Sequence, residues 1–102
     1  GSRGELDLLA VKQAHGQACI QVLFVREGRV LGSRTYYPET QLEEDETFVL
    51  DAFIPQFYLS GRQTIPQEIV VSHKPNDAQL LCETLMEQGK RKVVIKTQVR
   101  DA

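Results

Sequence analysis

Glu27-Gly28 lies between two β-rich runs, Cys19 to Val25 and Arg29 to Tyr37, and this constrains the N-terminal half of the chain to a β-hairpin. A two-residue connection requires a primed turn with positive φ. Gly28 adopts that without steric cost, whereas Glu27 is a less usual occupant of the other central position. Cys19 to Val25 is largely apolar on both parities, which predicts a strand buried on both faces. Arg29 to Tyr37 is more mixed, as expected of a strand near a sheet edge. Pro38 lacks an N–H and ends the ladder.

The elements around the hairpin follow the same logic. Leu6 to Gln13 reads as a first strand, and its unbroken apolar run Leu8-Leu9-Ala10-Val11 predicts a central place in the sheet. His15-Gly16 turns it into the hairpin, so three antiparallel strands form a meander. A polar loop from Pro38 to Asp45 leads to a helix over Glu46 to Leu59, where Val49, Leu50, Phe53, Ile54 and Phe57 recur at helical spacing. Pro55 opposes that helix by about 3 kcal/mol and predicts a kink or break near residues 51–55. Gly61 is placed as its C-terminal cap. Glu68 to Ser72 reads as a short buried strand. Asn76 is the expected N-cap of a second helix, Asp77 to Gln88, with Gln79 in capping-box position and Gly89 ending it. In Lys92 to Gln98, Val93 and Ile95 alternate with Lys92 and Lys96, the pattern of a strand with one buried and one wet face.

The resulting order, β-β-β-α-β-α-β, is that of α/β ribonuclease H-like domains. It implies a five-stranded mixed sheet: a three-strand antiparallel meander plus two parallel strands added through right-handed crossovers, with helices packed on it. The 102 residues are enough for one domain, and 41% hydrophobic with 25% charged residues is an ordinary globular composition. Residues 5–98 form the expected domain, 1–4 a cloning remnant or linker marked by Gly1-Ser2, and 99–102 a tail. No run is long and apolar enough to span a membrane, and no signal peptide is evident. Cys19 and Cys82 are far apart and outside any metal-binding spacing, so both read as reduced thiols packed as small hydrophobes.

Nucleases of this fold hold two divalent ions with clustered carboxylates that activate water and stabilise the leaving oxygen. The first carboxylate belongs in the middle of strand 1, where this chain has Leu9 and Ala10. Asp7 is expected to mark the solvated start of that strand, and with Glu68 it makes an incomplete metal set. The run Glu43-Glu44-Asp45-Glu46 reads as a solvated approach to a helix N-terminus, which favours negative charge. His15 and His73 read as surface histidines. No catalytic, metal-binding or cofactor-binding residue is assigned. One asymmetry survives: residues 90–102 hold five basic residues against one acid, in a chain of formal net charge −2. Lys90, Arg91, Lys92 and Lys96 are therefore the candidates for contact with DNA or an acidic partner. No aromatic residue interleaves with them, so a base-stacking surface is not indicated.

Residues 17–38, with Phe53-Ile54-Pro55-Gln56-Phe57-Tyr58-Leu59 and Ile65-Pro66-Gln67-Glu68-Ile69-Val70-Val71, resemble the UvrC family of bacterial excision repair. The most specific stretch is Val22-Leu23-Phe24-Val25-Arg26-Glu27-Gly28-Arg29-Val30-Leu31-Gly32-Ser33-Arg34. The resemblance covers residues 5–98 and matches the segment between the UvrB-binding helical hairpin and the C-terminal endonuclease domain. It implies a ribonuclease H-like module without catalytic carboxylates, acting as a structural and interaction domain of a DNA-incising nuclease in the bacterial cytoplasm. The implied partners are other domains of UvrC and, through the full-length protein, UvrB and damaged DNA, with no cofactor and no membrane. The family's nuclease motifs, iron–sulphur cysteines and helix-hairpin-helix do not occur in this sequence, so no catalytic residue carries over.

Overall fold

A computed structural model describes residues 4–41 and 44–98. Glu43, Arg100, Asp101 and the expected 99–102 tail lie outside these, as do residues 1–3. The strands are β1 (Leu6–Ala14), β2 (Gln17–Arg26), β3 (Arg29–Tyr36), β4 (Glu68–Val71) and β5 (Val94–Thr97), with helices α1 (Glu46–Tyr58) and α2 (Ala78–Gly89). The sheet order is β3-β2-β1-β4-β5. The meander is antiparallel, whereas β4 pairs parallel to β1 and β5 parallel to β4. The apolar β1 is central and the polar β3 and β5 are edges, as their sequences predict.

Both hairpin turns use the same device. His15 and Glu27 have φ 54°, followed by Gly16 and Gly28 at φ 75°, the double left-handed conformation of a primed turn. Between the β2 partners Phe24 and Val25 the register with β3 shifts, which leaves Leu31 unpaired as a bulge.

The core lies on one side of the sheet. Leu9 and Val11 of β1, Ile20 and Val22 of β2, and Ile69 and Val71 of β4 face Leu50, Ile54 and Tyr58 of α1. Toward the β3 edge, Phe53 and Phe57 stack at 5.1 Å and Tyr36 meets both, at 5.3 and 5.4 Å. Leu85 is the buried residue of α2.

Several local expectations are corrected. α1 passes through Pro55 without a break, because its buried side chains on either side of the proline dock on one continuous sheet surface. α2 begins one residue later than expected. Asp77 is its N-cap, accepting from the Leu80 N–H, while the Asn76 N–H donates to Asp51 Oδ2 of α1 and Gln79 turns to Glu83 instead of closing a capping box. Gly89 is still helical, and the left-handed C-cap conformation falls on Lys90, φ 60°. β2 is not buried on both faces: its residues alternate between buried positions under α1 and half-buried or exposed ones on the opposite side.

Candidate functional site: two polar anchors on the first strand

α1 runs back along β1 and is fastened to it at both ends. Its 13 residues and the strand segment from Asp7 to Gln13 each measure roughly 20 Å. The last residue of the helix therefore reaches the start of the strand, and the first reaches its end.

The first anchor is Asp7. It shares its face with Leu9 and Val11 and is fully buried, which corrects the expectation of a solvated strand end. The Tyr58 hydroxyl donates to Asp7 Oδ2 at 2.6 Å, and Arg26 Nη1 donates to Asp7 Oδ1 at 2.9 Å. The same guanidinium nitrogen reaches the Val25 carbonyl at 2.8 Å. Burial pushes the Asp7 carboxyl above the usual carboxylate range, with the Tyr58 and Arg26 contacts pulling it partly back. Burial and the adjacent carboxylate push the Tyr58 phenol up, so it stays a donor. Both Asp7 oxygens are thus taken by protein donors, one of them cationic. Sequence spacing gives no sign of this cluster, because its members are brought together by strand pairing and by the helix that follows the meander.

The second anchor lies at the carboxyl ends of β1 and β4, where open α/β sheets commonly place their sites. Glu46 Oε2 accepts from the Gln13 N–H at 2.9 Å, and Glu46 Oε1 lies 3.0 Å from His73 Nε2. His73 Nδ1 shares a 2.8 Å hydrogen bond with Ser72 Oγ, which itself accepts from the Val11 N–H at 3.1 Å. Hydroxyl, imidazole and carboxylate follow in the order of a hydrolytic relay. Here, however, Ser72 and His73 are chain neighbours, and the hydroxyl is occupied by a backbone N–H. The arrangement ties β4 and α1 to β1. Glu46 and His73 make structural contacts that sequence reasoning assigned to solvent.

Among the described residues, no three His, Cys, Asp or Glu side chains converge as a metal would require. Glu68 is not brought to Asp7; it pairs with Lys96 at 3.2 Å. The four basic candidates differ in what they engage. Arg91 is turned inward, donating to Glu5 Oε1 at 2.7 Å and to the Ile65 carbonyl at 2.6 Å. Lys96 is held by Glu68, Lys90 caps α2, and Lys92 is exposed before β5. Cys19 and Cys82 are both free thiols.

Element order, sheet topology and the crossover helices together define a ribonuclease H-like α/β domain. The family model described as "UvrC Ribonuclease H-like domain" matches residues 5–102. "UvrABC system protein C" of Shewanella loihica is 42% identical over 99 residues, covering 95% of this chain and 16% of that protein. The proteins of the same name from Sodalis glossinidius and Alcanivorax borkumensis are each 41% identical, over 102 and 100 residues. They cover 98% and 96% of this chain but 17% and 16% of their own. The chain belongs to the UvrC family and spans about one sixth of the length of the curated relatives it matches. A solved Bacteroides thetaiotaomicron protein, described as having an actin-like ATPase fold and unknown function, overlays 92% of this chain and 34% of its own at TM-score 0.43 and 12% identity. Among the described residues no helix is long and apolar enough to cross a membrane.

Proposed function

We propose that this chain is a non-catalytic structural and interaction domain within UvrC, part of the UvrABC machinery that incises damaged DNA in the bacterial cytoplasm. In that setting it works on other domains of the same polypeptide, and on UvrB and DNA through the full-length protein. The observation that carries this reading is Asp7. It is the one acid on β1, and both of its oxygens are occupied by Tyr58 and Arg26. A nuclease carboxylate must instead offer its oxygens to metal ions. At the carboxyl ends of β1 and β4, Glu46 is likewise engaged by His73 and the Gln13 N–H.

The test is a cleavage assay of the purified domain on nicked and lesion-containing duplexes with Mg²⁺ or Mn²⁺. No cleavage above background is expected. Metal-dependent cleavage that disappears in Asp7→Asn or Glu46→Gln overturns the reading.

A further inference from the structure

The sheet has two faces, and both helices account for only one. On the other face Leu6, Leu8, Leu23, Val25, Val70 and Val94 are brought side by side by the strand registers, and all are partly exposed. Val30, paired with Val25 and 64% exposed, extends this surface to the β3 edge, so apolar side chains cross all five strands. An apolar surface of this breadth is not a usual solvent face. The sequence gives an independent sign. β1, β2 and β4 are apolar on both parities, the pattern of strands covered on both sides, yet among the described residues only one side is covered. The rim carries two basic side chains unpaired among the described residues, Lys12 at the end of β1 and Lys92 before β5, both exposed, while Lys96 and Glu68 neutralise each other.

We propose that this open face docks an amphipathic helix with acidic flanks, supplied by another segment of the UvrC polypeptide. The proposal rests on the interaction-domain reading above and specifies its surface. A helix of about three turns, ~16 Å long, matches the strand length to be covered. The relatives carry this segment in a chain about six times as long. A partner in the same chain is held at an effective concentration of about 1 mM, so it needs only modest intrinsic affinity.

The test is cysteine accessibility. Val94→Cys, at a site already 36% exposed, is introduced both into this chain and into a full-length UvrC polypeptide carrying it, with Cys19→Ala and Cys82→Ala. Circular dichroism checks that each variant folds. The expected result, read for position 94 by peptide mass spectrometry so that the cysteines elsewhere in the full-length chain do not count, is labelling by iodoacetamide roughly tenfold slower in the full-length protein. That protection is expected to be largely lost on Lys12→Glu with Lys92→Glu. Equal rates in both forms overturn the proposal. Protection already present in the short chain and rising with its concentration, or appearing there on addition of DNA, also overturns it in favour of self-association or nucleic acid. Protection insensitive to the charge reversals rules out the acidic helix. Metal-dependent cleavage by the domain would instead sink the non-catalytic reading and leave the labelling result standing.

Discussion

The Tyr58 hydroxyl donates to Asp7 Oδ2 across 2.6 Å, joining the last residue of α1 to the start of β1 in a contact sealed from solvent. It fixes the helix lengthwise on the sheet, with Glu46 on the Gln13 N–H at the other end. Tyr58→Phe keeps the ring packing and removes one hydrogen bond to a carboxylate. Urea unfolding is expected to show a loss of about 2 kcal/mol. A loss below a few tenths would mean that the bond contributes nothing net.

The Arg26–Asp7 pair makes a pH-dependent prediction. Burial raises the Asp7 carboxyl above its unfolded value of about 3.9, so the folded state binds a proton more tightly. Stability from this group is therefore fully present below the unfolded pKa and is lost as pH rises through the folded one. Arg26→Leu removes a contact that lowers the folded pKa and widens that window. It is expected to cost about 3 kcal/mol at pH 7 and clearly less at pH 5. A penalty that grows on acidification would contradict the assignment.

Pro55 offers a stabilising change. A proline inside a helix removes one backbone hydrogen bond, here the one to the Asp51 carbonyl, and crowds that carbonyl. Pro55→Ala is expected to gain about 1–2 kcal/mol after allowing for the greater freedom of the unfolded chain, read as a higher urea midpoint. No gain would show that the proline costs the folded helix no more than it restricts the unfolded chain.

The end of α2 has its glycine one position early. Gly89 is helical, and a β-carbon there would meet Ile65 at an ordinary 3.5 Å, whereas Lys90 takes φ 60°. Gly89→Ala with Lys90→Gly places each residue where its conformation suits and is expected to add about 1–2 kcal/mol, measured by thermal denaturation. A lower melting temperature would count against this C-cap geometry.

Strand order, the two X-Gly hairpins, both helices and the family were legible in the sequence, because each rests on local chemistry. Turn glycines demand positive φ, apolar spacing sets helix or strand, and polar strands go to edges. Boundaries slipped by a residue or more at Asn76 and Gly89, and at β5, which spans only Val94–Thr97. At Asn76 a neighbouring element claims the group, since its N–H goes to Asp51 of α1. The two anchors on β1 were not legible. Asp7, Arg26 and Tyr58 are up to 51 residues apart, and Glu46 and His73 looked like solvated loop residues. Only the pairing of β1 with β2 and the return of α1 across the sheet put a carboxylate next to its donors. What the sequence determined alone was a ribonuclease H-like order of elements with Leu9 and Ala10 in mid-strand 1. The tertiary structure decided that Asp7 is buried and satisfied and that, among the described residues, nothing covers one apolar sheet face, since burial depends on which elements pack together in space.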